Sequence, residues 1–370
     1  MNHERKNFRL TDRAVKAATT RRPSAGRALA GRLACLLTCL VLGLVQGACS
    51  SGPRRCVVST LGDLKVMNDV GQPIVRATIN GTPVAFLIDT GAAFSIVSPE
   101  AAEALRLPYT GQFVPIQGVG GQTVGNVVTV DRLGLGSGTA RDTLFAVAGH
   151  FPGHIGGLPV VGLFGGNFLA AAEPVFDLPA HQLDLYTVSG CDSPTPTWSG
   201  PTDMAPIEIE GDSAIMIDVL LNGHRVSAQL DSGAGHTVIL PGDARHAGVD
   251  RARLSQDPHG HMHGVDDNRF EAHLHRFDSL QVGHAIYYKP WIAVAPMEID
   301  HALLGADFLR HNRVWISYRT QRVYIQRLHA PDGDPTFQIR LRRLPPANPV
   351  PGTPVPGTLS PLPPVSTASR

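Results

Sequence analysis

An all-β chain of two similar domains is the fold class that the sequence predicts. Three observations predict it: two separate segments recur in order, the apolar runs are short and cut by turn residues, and the length suffices for two cores. The 370 residues include 39 Gly and 30 Pro at a hydrophobic fraction of 43%. That composition suits many short strands and turns better than a helical bundle.

The duplication is legible without a gap. Asn80 to Ala92 (NGTPVAFLIDTGA) aligns on Asn222 to Ala234 (NGHRVSAQLDSGA), 142 residues later. Leu163 to Leu169 (LFGGNFL) aligns on Leu303 to Leu309 (LLGADFL), 140 residues later. Two elements recurring in the same order at nearly the same distance indicate a duplicated domain, each copy long enough to fold around its own core. The first domain is expected over 56–190 and the second over 207–330.

Within each copy the reading is β. Ile74 to Ile79 leads through Asn80-Gly81, a strong hairpin signal, into Val84 to Ile88, and Ile215 to Leu221 with Asn222-Gly223 repeats the arrangement. Each Asp therefore follows the second strand of a hairpin. Pro99 to Leu105 and Pro241 to Ala247 read as short helices opened by proline. Between the copies, 191–206 is rich in Ser, Thr, Pro and Gly, the composition of an exposed linker. The Pro-rich stretch 344–370 has too little apolar surface to fold and reads as a disordered tail.

The N-terminus differs in kind. Nine Arg and Lys residues between Arg5 and Arg32 precede the apolar run Leu33 to Val45, a pattern that reads as an export signal or anchor over 1–48 and points to the bacterial periplasm or cell envelope. The segment Val45 to Gly52 resembles a lipoprotein processing site with Cys49 as the lipidated residue, although Gln46 departs from that pattern. Cleavage after Ala48 and retention as a single-pass anchor are the alternatives. Cys56 and Cys191 remain in the mature chain and bracket the first domain; in an oxidising compartment they can form a disulfide, the alternative being two unpaired thiols. Net charge is +1 from 32 basic and 31 acidic residues. No overall field attracts the chain to nucleic acid, which is not expected as a partner.

The chemistry rests on the repeated Asp. Two carboxylates around one water can hydrolyse a peptide bond without metal or nucleophilic side chain. One ionised group removes the water's proton and its protonated partner polarises the carbonyl. A lone Asp cannot supply this, so a duplicated strand followed by Asp and Thr or Ser and Gly is what a self-sufficient site needs. Asp89 and Asp231 are the candidate catalytic pair. Gly91 and Gly233 permit close backbone approach, and the Thr90 and Ser232 hydroxyls can bond across to the other domain.

With these residues in view, the two halves resemble retropepsin-like aspartic protease domains fused in tandem, as in the pepsin-like arrangement. The likeness covers about Gln72 to Tyr186 and Ile207 to Ile325, and rests on Asp89-Thr90-Gly91-Ala92, Asp231-Ser232-Gly233-Ala234 and the later elements at Gly165 and Gly305. It implies two acid-protease β-barrel domains related by a pseudo-two-fold axis, with Gly165 and Gly305 packed beneath the catalytic loops. It also implies a Gly-rich flap at Gly118, Val119, Gly120 and Gly121, and a less typical counterpart at His263 and Gly264. The expected activity is that of an aspartic endopeptidase acting on a peptide or protein, without cofactor. The competing reading is an inactive, envelope-tethered peptide-binding module of the same fold.

His259, His261, His263, His273 and His275 alternate as strand residues do. Without an acidic or Cys partner at a recognised spacing they are read as solvated flap residues, and no metal site is assigned. Asn167 and Asp307, which follow the two glycine elements, are read as backbone anchors. A monomer closing on itself is favoured over a dimer in which each half pairs with its counterpart in a second chain.

Overall fold

The structure, a computed structural model, describes residues 56–328 apart from 119, 120, 152, 212 and 264–268. The expected export segment with Cys49 and the expected tail at 344–370 lie outside the described residues. Among the described residues no helix is long and apolar enough to cross a membrane.

Each half is built on the hairpin that the Asn-Gly pairs signal. Ile74–Ile79 pairs with Thr82–Ile88, and Ala214–Leu221 pairs with His224–Leu230. Asn80 and Gly81 take φ of 50° and 91°, Asn222 and Gly223 take 49° and 82°. Two successive left-handed residues make the turn whose twist matches that of the flanking strands, and Asn and Gly adopt it at least cost. The second strand of each hairpin then runs parallel to the strand that carries the later glycine element, Ile88 beside Phe164 and Leu230 beside Leu304. That strand is bounded on its other side by the short strand that follows the Asp loop, Ile96–Val97 or Val238–Ile239. The chain thus leaves the hairpin, crosses over the glycine-bearing strand and returns on its far side, and each Asp sits on that crossing.

The remaining strands extend these units into an eight-stranded sheet in the first half and a ten-stranded sheet in the second. The first closes on itself through Thr78 and Ile79, which pair with Gly134 and Leu133. Its core is a run of stacked rings, Phe86 on Phe164 at 4.4 Å and Phe164 on Phe168 at 4.6 Å, with Phe145 beside them. The architecture is that of an all-β, two-domain protein with few short helices. Pro99–Ala104 and Pro241–His246 are helical, and one-turn helices also follow the glycine elements at Gly166–Leu169 and Ala306–Leu309.

A third sheet joins the halves. Its order is Val57–Lys65, Gln182–Ser189, Glu173–Asp177, Asn312–Ser317, Arg322–Arg327 and Asp203–Pro206, three strands from the first half, two from the second and one from the end of the linker. At its centre Val175, Phe176 and Asp177 pair with Trp315, Val314 and Arg313. Side chains reinforce this seam: the Trp315 indole N–H donates to Glu173 at 3.0 Å and Arg313 Nε donates to Asp177 at 2.6 Å. Cys56 and Cys191 are joined by a disulfide at the outer edge of the sheet, next to the pairing of Val57 with Ser189.

The linker is more tightly held than its composition suggests. Its last residues, Asp203–Pro206, form a strand against Arg322–Arg327. Upstream, Tyr324 donates to the Pro194 carbonyl at 2.9 Å, Gln326 to Ser199 and Arg319 to Cys191. The linker's few apolar side chains make no core of their own, but Trp198 packs against the cluster of Val175, Trp315 and Tyr324, and the linker's carbonyls serve as acceptors for the neighbouring sheet.

The disulfide joins cysteines 135 positions apart in the sequence. Replacing both with Ser is expected to lower stability by about 2–4 kcal/mol through the freed unfolded chain. Urea unfolding of the two forms, and of the native form with and without reductant, measures this.

Candidate active site

The two Asp loops are held by the strands beneath them. Asp89 N–H donates to the Phe164 carbonyl and Asp231 N–H to that of Leu304, each at 3.0 Å. Each carboxylate then folds back over its own loop. Asp89 Oδ1 accepts from the N–H groups of Gly91 (2.9 Å) and Ala92 (3.0 Å), and Asp231 Oδ1 accepts from those of Gly233 (2.8 Å) and Ala234 (3.2 Å). The glycines face the opposite carboxylate. A methyl group built on Gly91 would lie 2.6 Å from the Asp231 carboxyl carbon, and one on Gly233 would overlap the carboxylate of Asp89. Each glycine leaves the space that the other loop's Asp occupies, which is a steric requirement beyond its conformational freedom.

Between the loops runs a reciprocal lattice. Thr90 Oγ1 donates to the Leu230 carbonyl at 2.7 Å and accepts from Ser232 N–H at 2.9 Å. Ser232 Oγ donates to the Ile88 carbonyl at 2.8 Å and accepts from Thr90 N–H at 3.0 Å. Both side chains are fully buried. Every polar atom of this contact has its partner in the other half, so the loops are fixed by four bonds that neither half can make alone.

The later glycine elements lie directly below. Gly165 faces the Phe94 and Ala92 backbone, and Gly305 faces that of His236 and Thr237, too closely for any side chain. Gly166 N–H donates to Ala92, and Ala306 N–H to Ala234. Asn167 Oδ1 accepts from Ser95 N–H and Oγ, while the Ser95 hydroxyl accepts from Gly165 N–H. In the second half Asp307 accepts from Thr237 N–H and Oγ1, and Thr237 Oγ1 accepts from Gly305 N–H. Asn167 and Asp307 tie loop to element without touching the Asp89 and Asp231 carboxylates. Ser95 and Thr237 belong to this arrangement, and their signal in the sequence is faint, two small hydroxyl residues 142 positions apart.

Burial and then the adjacent Asp231 push Asp89 up to about 8. Burial also raises Asp231, opposed by the N–H groups of Gly233 and Ala234 and by its hydrogen bond with Asp89. Two carboxylates this close cannot both ionise readily, so the pair holds one proton over a wide pH range.

The expected first flap falls on a long hairpin. Tyr109–Gly118 pairs with Gly121–Leu135, and Gly118 opposite Gly121 is the last rung, with Val119 and Gly120 outside the described residues. In the second half His263 ends the strand His259–His263 opposite Arg269, and Gly264 lies outside the described residues. His259 and His273 face each other with ring centroids 5.8 Å apart, and His275 Nδ1 is 2.6 Å from Asp257. Among the described residues no group of three His, Cys, Asp or Glu side chains is arranged to hold a metal ion.

A strand-borne pair of Asp loops, locked to one another across two β domains, defines an acid-protease fold in a single chain. Residues 75–168 match the aspartyl protease family, and residues 217–311 match the gag-polyprotein aspartyl protease family. One match falls in each copy, so the chain carries two aspartyl protease family matches in tandem. Among solved structures, it is similar to the aspartic proteinase from Irpex lacteus, at 14% identity and a TM-score of 0.49, over 73% of this chain and 97% of that one. No match was found among curated proteins.

Two outcomes follow for the isolated protein. Thr90→Val leaves the Leu230 carbonyl and Ser232 N–H without partners, and calorimetry should show a loss of about 1–3 kcal/mol for each buried group so exposed. The raised Asp89 value also has a sign. Its proton is kept in the folded state where an unfolded Asp, at the ordinary 3.8, has lost it. That stabilisation is fully present below the unfolded value and is lost as pH rises through about 8. Urea midpoints measured across this range should fall with pH in the wild type and flatten in Asp89→Asn.

Proposed function

We propose that the protein is an aspartic endopeptidase in which Asp89 and Asp231 activate one water between them. The observation that supports this best is the reciprocal bonding of Thr90 and Ser232, which holds two carboxylates sharing one proton at a fixed separation. The ionised carboxylate removes a proton from water while the protonated one donates a hydrogen bond to the scissile carbonyl. Water oxygen bonds to the carbonyl carbon as the protonated carboxyl passes its proton to the carbonyl oxygen, which gives a neutral tetrahedral diol. The proton taken from water then passes to the amide nitrogen as the C–N bond breaks, and one diol hydroxyl gives its proton to the other carboxylate as the new carboxyl group forms, so the pair returns to its one-proton state. The N–H groups of Gly91, Ala92, Gly233 and Ala234 hold the carboxylates in place, so no reorganisation is needed at the moment of reaction.

The hairpin that ends at Gly118 and Gly121 is the lid in this reading, closing over a bound peptide and excluding bulk water. The Cys56–Cys191 bond supports an oxidising location, in keeping with export through the N-terminal segment and attachment to the envelope there, with Cys49 as the lipid site. The six-stranded sheet, in which strands of both halves pair within one chain, supports a working monomer.

Cleavage of a peptide library by the protein, with and without pepstatin, tests the proposal between about pH 3 and pH 8, the range of carboxylate and histidine titration. Inhibitor-sensitive cutting is expected, lost by at least about a thousandfold in Asp89→Asn and Asp231→Asn. The activity should fall on the alkaline side as the pair loses its shared proton near 8. A well-folded protein that cuts nothing under any of these conditions would point to the peptide-binding module instead.

A further inference from the structure

The two catalytic loops are near-copies, yet one carries a contact that the other lacks. Gln72 Nε2, from the first half, donates to the Gly233 carbonyl at 2.9 Å across the interface. The Gly233 carbonyl and the Ala234 N–H belong to one planar peptide unit. That same N–H donates to Asp231 Oδ1 at 3.2 Å, shared with the Asp231 carbonyl at 3.3 Å. A donor on the oxygen end of a peptide orients the unit and strengthens the donor at its nitrogen end.

Gln72 is itself held. Asn68 Nδ2 donates to the Val70 and Gln72 carbonyls, both at 2.7 Å, and Asn68 Oδ1 accepts from Ile74 N–H, which folds 68–74 into a tight loop. Arg310, at the end of the Ala306–Leu309 helix, reaches from the second half to clasp that loop. Its Nε donates to the Gly71 carbonyl and its Nη1 to that of Asn68, each at 3.0 Å. Among the described residues the assembly exists once. At the offsets of the repeat, Gln72 corresponds to Ala214, Asn68 to Glu210 and Arg310 to Ala170. The Ala214 methyl cannot donate to the first catalytic loop.

We propose that Gln72, braced by Asn68 and Arg310, is a positioning residue that breaks the symmetry of the pair, making Asp231 the carboxylate that takes the water's proton and Asp89 the acid that holds the shared one. The strengthened Ala234 N–H stabilises negative charge on Asp231, whereas the matching Ala92 N–H on Asp89 has no such support. In the facing loop Asp89 and the Gly91 N–H act on Asp231, while further out His236 acts on Asp307 in the second half and Asp69 on Arg310 at the clasp. Of these side chains, only Asp89 shares a hydrogen bond with Asp231. The kinetic consequence rests on the protease reading, but the protonation order does not.

Carboxyl 13C NMR titration of the protein, with Asp89→Asn and Asp231→Asn assigning the signals, reads that order without turnover. In the wild type Asp231 should lose its proton at lower pH than Asp89. Gln72→Met keeps the side-chain length and removes the donor, and it should move the Asp231 midpoint up by about half to one pH unit, with a smaller change at Asp89. Arg310→Met should shift Asp231 in the same direction by loosening the loop. Gln72 is exposed, so its variant is expected to remain folded even if the Arg310 variant does not. On peptides, Gln72→Met should lower kcat about three- to tenfold with KM nearly unchanged. Unchanged midpoints in folded Gln72→Met, or an Asp89 that ionises first in the wild type, would overturn the assignment. A wild type that cuts no peptide would sink the protease reading alone, since the titration would still decide the order.

Discussion

The rest of the structure depends on four hydrogen bonds buried between the Asp loops. Thr90 and Ser232 each use a hydroxyl and a backbone N–H on the opposite loop and strand, and each is fully out of water. Desolvated groups of this kind cost free energy unless every one is paired. The halves must therefore meet in one register or lose all four bonds together. The six-stranded sheet supplies that register from below, with its central pair drawn one from each half.

This constraint also sets the electrostatics. Fixing the loops brings each carboxylate against the glycine of the other, so that neither Gly91 nor Gly233 can carry a side chain. Two acids held at this distance, each bonded by its own loop's N–H groups, share a proton because the alternative is two charges in a poorly solvated cleft. The ordered backbone around them makes that shared proton a structural property of the closed molecule. An open form, with the loops apart, would leave each Asp as an ordinary exposed acid.

Much of this was legible in the sequence because duplication converts a weak motif into a strong one. Asp-Thr-Gly alone is a common turn, but Asp89-Thr90-Gly91 and Asp231-Ser232-Gly233 at matching positions, each trailed by a glycine element, left little room for the two-domain β fold to be otherwise. The Asn80-Gly81 and Asn222-Gly223 turns were readable for a local reason, namely the left-handed backbone they require. The Cys56–Cys191 pairing was left open, since spacing in sequence does not report proximity. The clasp from Arg310 to the Asn68 and Gly71 carbonyls was not readable at all. It occurs once among the described residues, so the repeat gives no signal, and it joins residues more than two hundred positions apart by bonds to backbone carbonyls, which any side-chain donor can make. The linker misled in the same way: its composition reports the absence of a core, and its carbonyl partners lie in another strand.

The central claim is that the two aspartates of one chain form one site, and a mixing experiment tests it most directly. Asp89→Asn and Asp231→Asn chains would be assayed on a cleavable peptide separately and then together after co-refolding. If the site closes within the chain, each variant is inactive and the mixture stays inactive, because no chain in it carries both carboxylates. Activity in either variant alone, from like halves meeting in a dimer, or activity that emerges only on mixing, would contradict the account.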